Sequence, residues 1–148
     1  MARFLLVAGG CRGLELAREL GAEGHAVRIT TRDEANRERI EAAGAECVVA
    51  DPDVVGTLRY ALDNVTVLMW LLGPVDAADL HGSRWEMMLW RTIDTTVRGV
   101  VYEQGTEGGA ELTRKLAGHN GIPHAVLDGD SEPWREAARE AIGAVLAP

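Results

Sequence analysis

Leu5-Leu6-Val7-Ala8-Gly9-Gly10-Cys11-Arg12-Gly13 is an apolar run that breaks into glycines. It reads as a buried strand, a tight turn and the opening of a helix. Small residues let the backbone of such a turn approach a ligand, and the first N–H groups of the helix face an anion. The spacing G-x-G-x-x-G is met with Ala8 in the first place, Gly10 in the second and Gly13 in the third. Gly9 and Gly13 also align as the ends of G-x-x-x-G. Alanine avoids a large side chain in the first place, but it takes a positive φ with difficulty if the turn needs one. The stretch points to the pyrophosphate of a dinucleotide, held mainly by backbone amides.

Outward from this turn, short apolar runs alternate with helical patterns. Strands are expected at Arg3 to Ala8, Ala26 to Thr31, Glu46 to Ala50, Val65 to Leu72, Gly99 to Tyr102 and His124 to Leu127. Helices are expected from Gly13 to the Gly21–Gly24 stop, Asp33 to Ala43, Val54 to Leu62, Ser83 to Thr95, Glu107 to His119 and Glu132 to Leu146. The stretch Val75 to Gly82 reads as a loop. Strands apolar on both faces, separated by helices, imply a parallel sheet covered on both sides. Right-handed crossovers then give an α/β doubly wound sheet of about six strands in the order 3-2-1-4-5-6, the Rossmann arrangement. Residues 1–148 read as one such domain.

Composition narrows the function classes. The chain is 47% hydrophobic and 26% charged, with a net charge of -8. That balance argues against a nucleic-acid surface, which needs clustered Lys and Arg. No apolar run suits a signal peptide or a membrane span, so a cytoplasmic protein is the expectation. Cys11 and Cys47 form no CxxC pair and no ligand set with the four histidines, so neither a disulfide framework nor a metal site is expected.

Ligands of such sheets sit outside the carboxyl ends of the strands, so the residues just past each strand are the candidates. Gly9, Gly10, Cys11, Arg12 and Gly13 follow strand 1; Thr31 and Arg32 end strand 2. An arginine at the end of strand 2 suits the 2′-phosphate of NADP, where NAD sites usually place a carboxylate. Arg12 and Arg32 are expected to converge on that phosphate; an inward Asp33 would favour NAD instead. The plain alternative makes both arginines solvated surface groups. Cys11 reads as a small residue beside the phosphates, or as a thiol activated by the helix start. Asp51 either accepts from the adenine amino group or turns the chain before Val54. Leu72 and Gly73, after strand 4, are expected beside the adenosine and pyrophosphate.

The runs Gly13 to Leu20, Gly24-His25-Ala26-Val27-Arg28 and Thr31-Arg32-Asp33 resemble the extended and atypical short-chain dehydrogenase/reductases, in the NAD-dependent epimerase/dehydratase and NmrA-like branches. The resemblance continues through Gly44-Ala45-Glu46, Asp51-Pro52, Val97 to Tyr102 and Gly121 to Leu127, nearly the whole nucleotide-binding core. It implies that Gly9, Gly10, Arg12 and Gly13 hold the phosphates. It also implies that Thr31 and Arg32 face the 2′-phosphate, Asp51 the adenine, and Leu72 and Gly73 the adenosine side.

The chain departs from that family where chemistry is expected. Active members use a Tyr-x-x-x-Lys pair, in which lysine lowers the tyrosine pKa for proton transfer. Here the tyrosines are Tyr60 and Tyr102, and neither has lysine four residues on. Glu103-Gln104-Gly105-Thr106 stands where the family commonly has serines, and the family's C-terminal substrate lobe has no counterpart after the last helix. His81, Tyr102, Glu103 and Thr106 are the substitutes to consider, each with an ordinary structural reading beside the catalytic one. The helix with Trp85, Met87, Met88, Leu89 and Trp90 suits core packing; with Trp85 and Met88 outward it suits a homodimer face.

Three functional readings follow. One is an NADP(H)-binding oxidoreductase or epimerase-like protein with a non-standard site, acting on a small-molecule substrate, with NAD as the other cofactor. The second is a non-catalytic NmrA-like sensor of the cofactor's redox state. The third, a Rossmann domain for a nucleotide sugar or S-adenosylmethionine, is disfavoured by the arginines.

Overall fold

The computed structural model describes residues 1–147. Six strands, β1 (Arg3–Ala8), β2 (Ala26–Thr31), β3 (Glu46–Val49), β4 (Val67–Leu71), β5 (Gly99–Glu103) and β6 (His124–Leu127), form one sheet ordered β3-β2-β1-β4-β5-β6. Every pairing is parallel. This is the order expected from the β-α alternation. The reversal of strand order falls between β1 and β4, where Ala8 lies beside Leu71. A crevice therefore opens at the carboxyl ends of these two strands.

Side chains alternate across each strand, so β1 feeds two cores. Phe4 and Leu6 join α1 (Gly10–Ala22), α2 (Arg37–Ala42) and α6 (Trp134–Leu146) on one face. Leu5 and Val7 join α3 (Ala78–His81), α4 (Ser83–Ile93) and α5 (Glu107–His119) on the other. All of β4 is buried, as its unbroken apolar run requires. Arg28 and Glu103 are the buried charged residues of the sheet. The Arg28 guanidinium donates to Glu46 (2.8 Å) and to the carbonyls of Ala61 (2.6 Å) and Asp63 (3.0 Å), so its charge is compensated.

Several boundaries differ from the sequence reading. Asp33 to Ala43 is a 3₁₀ turn, Glu34–Asn36, followed by the six-residue α2. Val54 to Leu62 is two 3₁₀ turns, Val55–Leu58 and Tyr60–Leu62, in a segment whose helical propensity Gly56 weakens. The expected loop Val75 to Gly82 contains α3. Helix α1 begins at Gly10 rather than Gly13, which puts Cys11 and Arg12 on its first turn.

The aromatic helix α4 buries Trp85, Met88, Leu89 and Thr92, the i, i+3, i+4, i+7 stripe of an amphipathic helix. Trp85 and Met88 are thus core residues, not an outward patch; Met87 and Trp90 are the exposed pair. Trp85 stacks on Tyr102 and donates through Nε1 to Thr113 Oγ1 at 2.8 Å. Tyr102 in turn needs Gly109, since a Cβ there would overlap the tyrosine hydroxyl. Gly109→Ala is expected to destabilise the fold by about 2–3 kcal/mol, measured by urea denaturation, because the stacked core has no slack for a methyl group. A loss below about 0.5 kcal/mol would show that the Tyr102 packing gives way easily.

Candidate functional site

The glycine-rich turn is built from three successive positive φ angles: Ala8 at 67°, Gly9 at 104° and Gly10 at 57°. Alanine does take the left-handed conformation, contrary to the difficulty expected of it, and holds it in a turn fixed on both sides. Its N–H donates to Thr30 Oγ1 (3.2 Å), and its carbonyl lies against Gly13, where a Cβ would approach within 3.3 Å. Gly9 is just as constrained: a Cβ there would sit 3.1 Å from both Gly13 Cα and Leu71 Cδ1. The G-x-x-x-G spacing of Gly9 and Gly13 is therefore a close packing of turn on helix. The ladder of α1 starts with Gly13 N–H on the Gly9 carbonyl (2.9 Å), which leaves the amides of Gly10, Cys11 and Arg12 without intrahelical acceptors.

A cleft of about 720 Å³ opens beside this turn, over the carboxyl ends of β1, β2 and β3. Its volume lies in the ordinary range for small-molecule and cofactor sites. Of the residues expected from the sequence, Gly10, Thr31, Arg32, Asp51 and Leu72 line it. Thr31 Oγ1 accepts from the Asp33 amide (3.2 Å) and from Asn36 Nδ2 (3.0 Å) and donates to the Asp33 carbonyl (3.2 Å). Asp33 lines the cleft but spends Oδ1 on the Ala35 amide at 2.9 Å, capping the 3₁₀ turn. Asp51 turns the chain through its Oδ1, which accepts from the Asp53 amide at 2.9 Å, and still lines the cleft. Both roles weighed for Asp51 are thus compatible.

Arg32 is exposed and, among the described residues, makes no hydrogen bond or ion pair. The second cation on this wall is Arg39, from α2, held by a 2.8 Å bond from Nη2 to Asn36 Oδ1. Sequence reasoning missed it, because it lies on a helix rather than just past a strand end.

Arg12 is not brought to Arg32. Its Nη1 donates to the Gly129 carbonyl (2.9 Å), its Nη2 to Glu103 Oε2 (3.2 Å), and its guanidinium lies 4.8 Å over the Trp134 ring. A buried carboxylate nearby outcompetes solvent for the guanidinium, and the expected convergence of two arginines is corrected accordingly. Cys11 is exposed, whereas Cys47 is buried, and burial pushes its thiol pKa up. Gly73 lines a separate cleft of about 240 Å³ with His81, Gly105 and Thr106.

The substitutes considered for catalysis are largely absorbed by packing. Tyr102 and His81 are both buried, with the tyrosine hydroxyl 2.8 Å from His81 Nδ1. His81 Nε2 lies 3.1 Å from the Val75 carbonyl, which can only accept. In the neutral imidazole this puts the proton on Nε2, with Tyr102 donating to Nδ1. The chain of bonds is closed, and it ties the loop after β4 to β5. Glu103 is also buried and fully bonded. Thr106 caps α5 by accepting from the Gly109 amide at 2.9 Å. Tyr60, 77% exposed, stands on a surface turn.

No protein-family model and no curated protein matches the chain. Solved structures do. A protein named as a betaketoacyl-ACP reductase has a TM-score of 0.71 and 21% identity, over 97% of this chain and 90% of that one. A Citrobacter sp. triphenylmethane reductase complexed with NADP(H) has a TM-score of 0.62 and 17% identity, over 83% and 48%. UDP-glucuronic acid 4-epimerase of Bacillus cereus, solved with NAD, has a TM-score of 0.63 and 13% identity, over 84% and 55%. The chain spans about half the length of the last two. At these identities the likeness shows the fold alone: the chain has the Rossmann architecture shared by these reductases and epimerases, in agreement with the resemblance carried by its residues.

Proposed function

We propose that the chain binds NADP(H) in the large cleft and is an oxidoreductase- or epimerase-like relative of the short-chain dehydrogenases without their Tyr-x-x-x-Lys pair. The observation that carries this reading is Arg32, an arginine without a protein partner among the described residues, beside Arg39 on the cleft wall at the end of β2. Two guanidiniums without an ion-pair partner among the described residues suit a dianionic 2′-phosphate. Asp33 lines the same cleft with Oδ1 on the Ala35 amide, and it is the carboxylate that the NAD alternative would use. The amides of Gly10, Cys11 and Arg12 suit the pyrophosphate, and Asp51 and Leu72 suit the adenosine. Gly9 and Gly13 serve by holding the turn, and Gly73 by letting the loop after β4 pass close. When bound, the dinucleotide supplies hydride chemistry. This chain's residues bind and orient it.

Cys11 offers a direct test of occupancy. Its exposed thiol is expected to react readily with iodoacetamide, and saturating NADP⁺ to slow that reaction by about fivefold or more, since the phosphates would cover the first turn of α1. Cys47 should react only on unfolding. An alkylation rate unchanged by NADP⁺ would contradict the placement.

The NmrA-like sensing alternative is favoured by one observation, the enclosure of Tyr102 and His81 in the core. Discrimination between NADP⁺ and NADPH without NADPH consumption across a panel of carbonyl compounds would select it; consumption would select the oxidoreductase. A homodimer and a cytoplasmic setting belong to the same proposal.

A further inference from the structure

We propose that Glu103 is a positioning residue of the phosphate side of the cleft, fixing the first turn of α1 and the loop after β4 against each other. This rests on the dinucleotide reading above. Glu103 ends β5 with its carboxylate side chain 1% exposed. A carboxylate taken from water must be paired and hydrogen-bonded, and three donors meet this one. Oε1 accepts from the Gly73 amide at 2.9 Å; Oε2 accepts from Trp134 Nε1 at 2.8 Å and from Arg12 Nη2 at 3.2 Å.

Two glycines make room for the group. A Cβ on Gly73 would lie 2.6 Å from Glu103 Cγ, and a Cβ on Gly129 would lie 3.1 Å from Oε2. The Gly129 carbonyl then takes the other Arg12 nitrogen at 2.9 Å, and Trp134 supports the guanidinium from below. One carboxylate thus joins Arg12, in the turn whose amides face the phosphates, to Gly73, in the loop on the opposite side of the switch point. Phosphate recognition by backbone amides depends on placement within a fraction of an ångström, so the registry of these two loops sets its strength. Among the described residues, Arg32, Arg39 and Asp51, at the adenosine end of the cleft, share no hydrogen bond with this cluster.

The test compares two probes on the full chain by calorimetry: NADP⁺, which carries the pyrophosphate, and adenosine 2′-monophosphate, which lacks it. In Glu103→Gln the amide cannot accept from all three donors, and Arg12 loses its counter-charge. NADP⁺ affinity is expected to fall about tenfold, the weight of one charge-assisted hydrogen bond. Binding of adenosine 2′-monophosphate, at a remote set of contacts, should stay within about twofold. The double variant Arg12→Met with Glu103→Gln removes both charges, so that no uncompensated charge hinders folding, and should show the same split. Equal losses for both probes, or unchanged NADP⁺ affinity in a folded variant, would overturn the positioning role alone. A native chain that binds neither probe would overturn the dinucleotide reading and this proposal with it.

Discussion

Arg32→Ala is expected to lower NADP⁺ affinity about tenfold, and the double variant with Arg39→Ala about a hundredfold, because each would remove a charge-assisted contact worth about 1.5 kcal/mol at an exposed site. NAD⁺ affinity is expected to stay within about twofold in both variants, since on this reading neither arginine meets a ribose without the phosphate. The direction follows from what the arginines lack: Arg32 has no protein partner among the described residues, and Arg39 has only the neutral Asn36. Their loss therefore exposes no buried carboxylate and should leave stability nearly unchanged. Raised salt should shrink the NADP⁺ advantage of the native chain, as expected of exposed charges. Calorimetry of the four combinations reads all of this, and equal losses for the two dinucleotides would contradict the 2′-phosphate assignment.

Gly9→Val is expected to be the most damaging single change in the turn. At a φ of 104° a β-branched residue is strained, and its Cβ would press on the Gly13 backbone at 3.1 Å, which cannot yield as a side chain can. The two effects together cost about 3 kcal/mol or more and displace the start of α1, so dinucleotide binding should be lost. Gly10→Ala is the control. Gly10 also has a positive φ, but a Cβ there meets nothing within 4 Å, so the cost is limited to about 1 kcal/mol of backbone strain. Urea denaturation separates the two, and a Gly9→Val protein as stable as Gly10→Ala would refute the packing argument.

The sheet was legible in the sequence because its signals are local. Apolar runs ending in Gly9, Asp51 or Gly73 mark strand ends, and right-handed crossover leaves few orders for parallel strands. The stripe Trp85, Met88, Leu89, Thr92 carries the helical period of a core face, the first of the two readings open for this helix. What could not be read locally was the direction of long side chains. Arg12 is drawn to Glu103, 91 residues away, and to a tryptophan on the last helix. Both partners exist only once β5 and α6 are in place. Arg39 lines the same cleft as Arg32 from α2, which a 3₁₀ turn precedes, and short 3₁₀ segments carry little periodic signal. The place of the candidate cleft thus follows from strand ends, whereas the second arginine on its wall depends on tertiary packing.

Titration of the native chain with NADP⁺ and NAD⁺ by calorimetry, at one low salt concentration, tests the central claim most directly. Binding of NADP⁺ at least about tenfold tighter than NAD⁺ is the predicted result, from one phosphate read by two arginines. Equal affinity for the two, or binding of neither, would contradict it.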